Sequence, residues 1–218
     1  LLLTHSHWDH VGGAHELQKE LGFNILASNT AVEVLQKPKA VSFINRLNQD
    51  YIRMLPEAEA SPGEFSYLGC LGPLEAGSRV PVSKDSFLEV FETPGHTRCS
   101  LSFLLYPQKI LFCGDASGVI EADRSIKPLF LSSYLESITS LNLLLDLDAE
   151  MIAFPHNMVI RGKGAVRAHL ERSIERFDWL KNRIVQLLDK MDNSAAIARE
   201  LLYNEFSKPT LMGPEEAQ

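Results

Sequence analysis

The sequence predicts an α/β protein in which short strands alternate with helices. Apolar runs of strand length are interspersed with segments that carry apolar residues at helical spacing. Histidine and aspartate residues come at the ends of several of these strands or in the loops just after them, where α/β folds usually carry out their chemistry. With 218 residues, 45% of them hydrophobic and 22% charged, the chain fits one domain or one domain with a small appendage.

The predicted helices rest on apolar periodicity and on residues that begin or end helices. Gly22 and Pro56 each follow a helical segment, and Ser28 or Asn29 is suited to cap the start of another. On these grounds we expect helices over residues 14–21, 30–36, 38–56, 133–145, 164–190 and about 194–206.

The predicted strands are apolar or alternating runs bounded by glycine, proline or serine. Leu1–Leu3 has the character of the end of a buried strand. Residues 100–106 and 109–112, joined through Pro107, are expected to pair with each other. Further strands are expected at 23–27, around 65–68 and 79–82, at 87–92 and at 151–154.

Four metal-binding side chains lie within six residues near the start of the chain, in the pattern H-x-H-x-D-H followed by Gly-Gly. In an extended segment His5 and His7 point the same way, because side chains alternate with period two. Asp9 and His10 are adjacent and together reach a second point nearby. One short loop is therefore able to supply two ligands to each of two neighbouring ions, and imidazole with one carboxylate suits zinc as well as iron or manganese.

Three further segments release a ligand-type side chain just after a predicted strand. Thr93-Pro-Gly-His presents His96 beyond a turn, Phe112-Cys-Gly-Asp delivers Asp115, and Phe154-Pro-His delivers His156. Each is weak evidence alone, because a lone histidine after a strand is more often a surface or packing residue. The ordered set of four motifs is far more specific than its parts.

Composition and charge narrow the classes of function. The net charge of −7 argues against non-specific binding of nucleic acid. No apolar run approaches the ~20 residues that span a bilayer. Three scattered cysteines without a C-x-x-C pair favour a reducing, cytoplasmic setting over a disulfide framework.

Together these motifs resemble those of the metallo-β-lactamase-fold hydrolase superfamily, which includes glyoxalase II, acyl-homoserine lactonases and related thioesterases. The resemblance runs from residue 1 to about 163. It implies a four-layer αβ/βα sandwich with a site for two metal ions at one edge of the packed sheets. Carried over position by position, it implies one ligand set of His5, His7 and His96, a second of Asp9, His10 and His156, and Asp115 as a bridging carboxylate.

The resemblance also implies an organisation of the chain. Residues 1–163 would form the catalytic domain, with a helical cap inserted over about 30–86, and residues 164–218 would form a C-terminal helical appendage. Relatives carry several strands before the first motif, whereas this chain opens on it without a starting Met, so we expect it to be truncated at its N-terminus. Asn157 follows the last histidine, where many relatives have glycine.

The activity implied is hydrolysis of an ester, thioester or lactone bond in a small acyl substrate. Two divalent ions, zinc first among them, would lower the pKa of a water that bridges them, so that hydroxide forms near neutral pH and attacks the carbonyl carbon. Asp9 is the candidate to accept the proton of that water as well as to ligate a metal. Tyr51, Arg53, Met54 and Phe65 in the expected cap are candidates to contact the substrate.

Two alternatives remain open from the sequence. A nuclease of the same superfamily is disfavoured by the acidic charge, and we identify no additional nuclease motif. A regulatory or binding module that keeps the metal scaffold with little turnover is the other alternative, and it is motivated by the shortened start and by Asn157.

Overall fold

The computed structural model describes residues 1–54, 71–156, 158–191 and 193–205. Within these ranges helices and strands alternate, as the sequence predicts. The helices are α1 (Trp8–Val11), α2 (Ala14–Leu21), α3 (Asn29–Leu35), α4 (Pro38–Met54), α5 (Tyr134–Asp146), α6 (Lys163–Leu188) and α7 (Ser194–Glu205). The strands are β1 (Ile25–Ser28), β2 (Leu71–Leu74), β3 (Arg79–Ser83), β4 (Ser86–Glu92), β5 (Leu101–Tyr106), β6 (Ile110–Phe112), β7 (Val119–Ile120), β8 (Ile126–Lys127), β9 (Met151–Ala153) and β10 (Val159–Arg161).

The large sheet has six strands in the order β10-β9-β6-β5-β4-β3. Strands β3 to β6 pair antiparallel in sequence, and β9 then joins β6 in parallel. Strands β4, β6 and β9 therefore run in one direction, and their carboxyl ends lie at the same edge of the sheet. The loops that carry His96, Asp115 and His156 leave the sheet at this edge.

A second, small sheet pairs β1 with β2 in parallel. Leu2 forms a bridge beside β1, opposite Leu26, which agrees with the strand-like character of the first residues. The two sheets pack face to face through Leu2 and Leu26 on one side and Val90, Leu101 and Phe103 on the other.

Helices cover the outer faces of both sheets, which gives the four layers of the expected αβ/βα sandwich. Side chains alternate across β5, so Leu101 and Phe103 face the small sheet while Leu104 faces the other way. Leu104 packs with residues of α5 and α6, among them Leu141 and Phe177. A third cluster joins β1 to helices α1, α3 and α4 and contains Val11, Ile25, Leu35 and Ile44.

Among the described residues of the expected helical cap over about 30–86, the helical ones belong to α3 and α4. Near the end of that range, Arg79–Ser83 forms the edge strand of the large sheet and pairs with β4. The strand expected at 79–82 is thereby confirmed, and a tight turn joins it to β4 in a hairpin. The expected strand around 65–68 and the candidate Phe65 lie outside the described residues, as does Asn157.

The sequence did not predict α1, β2, β7, β8 or β10, all of which are four residues or shorter. The division of the chain at residue 163 stays a prediction. Helix α6 contributes Val166, Leu170 and Phe177 to the core beneath the large sheet, so this first part of the expected appendage is packed tightly against the expected catalytic part. No helix among the described residues combines the length and the apolar composition that crossing a bilayer requires.

Candidate metal centre

The H-x-H-x-D-H segment changes conformation in its middle. His5 precedes α1 in non-helical backbone, and the His7 carbonyl accepts hydrogen bonds from the amides of His10 and Val11 at 3.0 and 3.1 Å, which starts α1. Val11 is fully buried in the helical cluster and anchors this turn. The short helix carries Asp9 and His10 around to a point beside His5, whose ring lies 4.1 Å from that of His10.

The three later segments bring their side chains to the same place. The His96 Nε2 atom lies 3.0 Å from His7 Nδ1. Asp115 lies at the centre, with carboxylate oxygens 3.4 Å from His10 Nε2 and from His96 Nε2 and 3.5 Å from His156 Nε2. All seven side chains that the sequence singles out as ligands therefore meet in one cluster. Three groups have donor atoms mutually within 4.8 Å: His5, His7 and His96; His5, His10 and Asp115; and Asp9, His10 and His156.

These separations fit shared metal ions. Nitrogen donors bind zinc at about 2.0–2.1 Å, which places two donors of a tetrahedral ion roughly 3.3 Å apart. Among the residues that the structure describes, the buried atoms His5 Nε2, His10 Nε2 and Asp115 Oδ1 have no hydrogen-bond partner. Buried polar atoms normally have hydrogen-bond partners. Buried donor atoms that lack such partners and face one another form the arrangement that a cation site requires.

Contacts outside the cluster fix which nitrogen of a histidine faces inward. His96 Nδ1 donates a hydrogen bond to the Leu129 carbonyl at 2.8 Å, which leaves the Nε2 lone pair directed at the cluster. His5 Nδ1 lies 3.2 Å from Thr4 Oγ1, which likewise leaves His5 Nε2 free to ligate. Partners of this kind orient the ligands of metal sites and raise their basicity.

The turn that presents His96 depends on Gly95. The φ of Gly95 is 130°, and a Cβ atom there would lie 2.2 Å from Ser137 Oγ and 2.4 Å from the Ser137 amide nitrogen. The close approach allows the Gly95 carbonyl to accept hydrogen bonds from the amides of Ser132 and Ser133 at the start of α5. Helix α5 also holds the turn through Ser140, whose hydroxyl donates to the Pro94 carbonyl at 2.7 Å.

The loop that carries Asp115 is held from below by a buried polar cluster. Ser117 Oγ lies 3.4 Å from Cys113 Sγ and 3.4 Å from His169 Nε2 on α6. His169 is fully buried, and Ser173 Oγ contacts the same nitrogen at 3.4 Å. Burial, with a smaller contribution from Arg172, lowers the pKa of His169 to about 4, so this imidazole is neutral near pH 7.

Electrostatics divides the histidines of the cluster into two kinds. Burial, and then the neighbouring histidines, lowers the pKa of His5 to about 2 and also lowers the pKa of His7. Burial would also lower the pKa of His10, but the carboxylates of Asp115 and Asp9, each 3.4 Å from its Nε2 atom, raise it to about 9. His5 and His7 are thus neutral donors, whereas His10 holds a proton that a metal ion would displace.

The two carboxyl groups remain ionised. Burial alone would raise the pKa of Asp115, but the contacts with His10 and His156 hold it far below its usual value. Burial alone would also raise the pKa of Asp9, but the neighbouring His10 holds it below its usual range. The site therefore offers two carboxylates and several neutral imidazoles, a donor set suited to zinc, iron or manganese.

Comparison with known proteins identifies the family. The family model described as the metallo-beta-lactamase superfamily matches residues 1–156. The chain belongs to the metallo-beta-lactamase superfamily. The fold expected from the four motifs is thereby confirmed.

Two curated relatives and one solved structure illustrate the likeness. Hydroxyacylglutathione hydrolase of Pectobacterium carotovorum is 31% identical over 115 residues, which are 53% of this chain and 32% of that protein. Hydroxyacylglutathione hydrolase GloC of Haemophilus influenzae is 31% identical over 115 residues, which are 53% of this chain and 48% of that protein. The chain thus matches half or less of the length of these relatives. A metallo-beta-lactamase family protein of Thermus thermophilus superposes with a TM-score of 0.62 at 22% identity, over 94% of this chain and 69% of that one.

A cavity of about 570 Å³ opens over the cluster of this superfamily member. His7, Asp9, His96, Asp115 and His156 line its floor. Asp9 and His156 are the accessible members, with 33% and 36% of their side chains exposed. One wall is apolar and consists of Val119, Ile120, Ala122, Leu129, Leu131 and Met158.

The cavity does not involve the described residues of the expected cap. Tyr51, Arg53 and Met54 are absent from its lining. Tyr51 packs against Trp8, with ring centroids 5.5 Å apart, and Arg53 pairs with Asp50 at 3.2 Å on the surface of α4. The end of α4 therefore supports α1 and does not contact the cavity.

Sequence reasoning missed the hairpin β7–β8, which supplies the charged rim of the cavity. Glu121, Arg124 and Lys127 line the cavity from this hairpin. Its signal in the sequence is a largely polar Glu-Ala-Asp-Arg-Ser run between the apolar pair Val119-Ile120 and the single apolar residue Ile126. Runs this short are below the length at which strand periodicity can be recognised.

Proposed function

We propose that this protein is a two-metal hydrolase that cleaves an ester, thioester or lactone bond in a small acyl substrate. The observation that carries the proposal is the convergence of seven donor side chains, three of them with unpartnered buried atoms, at the floor of a cavity large enough for a small molecule. The proposed ligands are His5, His7 and His96 for one ion, Asp9, His10 and His156 for the other, and Asp115 between them.

Two divalent ions at this floor would polarise a substrate carbonyl and lower the pKa of a nearby water. Residues of the chain itself accept the proton, orient a metal ligand and hold the acyl group. Asp9 is ionised and partly exposed to the cavity, so its carboxylate is placed to accept a proton from an entering water. The hydrogen bond to the Leu129 carbonyl keeps His96 in one orientation, and the apolar wall of the cavity holds the acyl group and excludes water around it.

Among the acyl substrates we favour a thioester. Both curated relatives are named hydroxyacylglutathione hydrolase, and their names describe hydrolysis of a glutathione thioester. We propose zinc as the metal and the cytoplasm as the setting, with iron and manganese as the metals to test alongside. A nuclease is the weaker alternative, because the cavity has an apolar wall and the chain carries a net charge of −7.

The test combines metal analysis with a panel of acyl substrates. Protein purified after growth with zinc, iron and manganese should contain about two equivalents of transition metal. It should hydrolyse at least one of an aryl ester, an alkyl thioester and a lactone. Asp115→Asn should lose metal and lower kcat/KM by more than the ~10–100-fold typical of residues that only support a ligand.

The matched control is His15→Ala, which removes a histidine of α2 that lies outside the cluster and the cavity lining. This variant should keep both the metal content and the activity. Metal-free protein from metal-replete growth would overturn the proposal. Bound metal with no turnover of any ester, thioester or lactone would favour the regulatory module instead.

A further inference from the structure

His169 is a polar residue in a part of α6 that otherwise forms apolar core. It is fully buried, and its neighbours on the helix, including Val166, Leu170 and Phe177, pack beneath the large sheet. Among the residues that the structure describes, none forms a hydrogen bond with its Nδ1 atom. An unpaired buried nitrogen destabilises a fold, so packing alone does not account for a histidine at this position.

The other ring nitrogen of His169 connects α6 to the loop that carries Asp115. His169 Nε2 lies 3.4 Å from Ser117 Oγ, and Ser117 is fully buried as well. The loop is compact at this point, because the Gly118 amide donates to the Asp115 carbonyl at 3.0 Å. A displacement of Ser117 would therefore also move the backbone of Asp115.

The same ring contacts the segment that carries His156. Phe154 lies against His169 with ring centroids 5.0 Å apart and ring planes at 83°, which is the edge-to-face arrangement that aromatic rings favour. Only Pro155 separates Phe154 from His156. His169 thus touches two segments whose ligand atoms, Asp115 Oδ1 and His156 Nε2, lie 3.5 Å apart.

The first proposed ligand set has supports of its own. His96 donates to the Leu129 carbonyl, and His5 contacts Thr4. A change at His169 should therefore affect the ion held by Asp9, His10 and His156 more than the ion of the first set.

We propose that His169 is a positioning residue of the metal centre, which fixes Asp115 through Ser117 and His156 through Phe154 and so sets the separation of these two ligands. The inference rests on the proposed function, because that function makes Asp115 and His156 metal ligands. His169 is absent from the cavity lining, so it acts through the ligands and does not touch the substrate.

The test measures metal binding without turnover. Chelator-treated protein is titrated with cobalt(II), whose visible absorption depends on the geometry of its ligands, against a competing chelator that allows both dissociation constants to be obtained. The wild type should bind two cobalt ions.

Two serine variants form a matched pair. Ser117→Ala removes the hydroxyl between His169 and the Asp115 loop, and it should weaken the binding of one cobalt ion by about tenfold, within the ~10–100-fold that supporting residues of metal sites contribute. It should also change the absorption spectrum of the bound cobalt. Ser173→Ala removes another fully buried hydroxyl 3.4 Å from the same nitrogen, but this one belongs to α6 and its loss leaves the contact with Ser117 in place. Ser173→Ala should bind both ions within about twofold of the wild type.

Two variants of the histidine itself separate hydrogen bonding from packing. His169→Phe keeps a ring beside Phe154 but has no atom that can bond to Ser117, and it should weaken the same ion at least as much as Ser117→Ala does. His169→Gln retains a polar end and should recover part of the affinity.

Equal cobalt affinities of Ser117→Ala and Ser173→Ala would overturn the inference, even if both variants lowered the thermal midpoint, because the two hydroxyls would then serve only the stability of the core. Wild-type protein that bound no cobalt would overturn both the inference and the proposed function. Failure of the acyl substrate panel, with the cobalt affinities as expected, would count against the hydrolase alone.

Discussion

The Asp115→Asn substitution tests the electrostatics of the cluster in metal-free protein. Asp115 lies 3.4 Å from His10 Nε2, and together with Asp9 it raises the pKa of His10 to about 9 against the effect of burial. In the variant only Asp9 remains beside His10. Since burial alone lowers the pKa of a histidine, we expect the pKa of His10 to fall to its ordinary value of about 6.5 or below.

The size of the effect follows from linkage between proton binding and folding. A pKa of about 9 in the folded protein and about 6.5 in the unfolded chain corresponds to roughly 3 kcal/mol of stability. Because the folded pKa is the higher one, this stability is fully present below pH 6.5 and is lost as the pH rises through 9. The raised pKa of His156 adds to the loss in the same direction.

Two measurements check the prediction. Histidine ring signals in NMR spectra of the chelator-treated protein should give a pKa near 9 for His10 in the wild type and at or below 6.5 in Asp115→Asn. Urea denaturation at pH 6.5 and pH 9.5 should show a loss of about 3 kcal/mol for the wild type and a much smaller loss for the variant. Asp85→Asn, in the turn between β3 and β4, is the control and should behave as the wild type. A wild-type His10 that titrates near 6.5 would refute the reasoning.

Three further predictions concern the support of the site. Metal removal by a chelator should lower the thermal midpoint by about 5–10 °C, because an ion present at 100 times its Kd adds about 2.7 kcal/mol; an unchanged midpoint in differential scanning calorimetry would contradict the proposed site. Gly95→Ala should destabilise the fold by about 3 kcal/mol or more, since its Cβ would collide with Ser137, whereas Gly13→Ala meets no atom within 4 Å and should change the urea midpoint little. His169→Gln should reduce the loss of stability between pH 6.5 and pH 4. Because the pKa of His169 is about 4 in the folded protein, this residue is protonated between pH 6.5 and pH 4 only in the unfolded wild-type chain. That proton uptake lowers the free energy of unfolding by about 3 kcal/mol over this range. Equal acid sensitivity of variant and wild type in urea denaturation would argue against the burial of a neutral His169.

The elements with a strong local signal were predicted well. Helix α2 and its end at Gly22 follow from local signals alone, because Gly22 adopts a left-handed conformation with a φ of 66°. Ser28 caps α3, where its hydroxyl accepts a hydrogen bond from the Ala31 amide at 3.2 Å. The pairing of β5 with β6 also agrees with the structure. In each case neighbours in sequence provide most of the stabilising contacts.

The elements that were missed depend on distant partners. Strand β10 is three residues long and exists because it pairs with β9. Helix α1 is a single turn anchored by the burial of Val11. None of these carries enough periodicity to be recognised before the fold is known.

The sequence alone determined which side chains could form the centre, because the spacing of His5, His7, Asp9 and His10 is a local property of six residues. Only the tertiary structure decided that His96, Asp115 and His156 join them, since this depends on β4, β6 and β9 running in one direction and ending at one edge. It also placed Arg124 at the rim of the same cavity. Local spacing fixes local geometry, whereas proximity between residues separated by up to 151 positions is set by how the strands pair across the whole sheet.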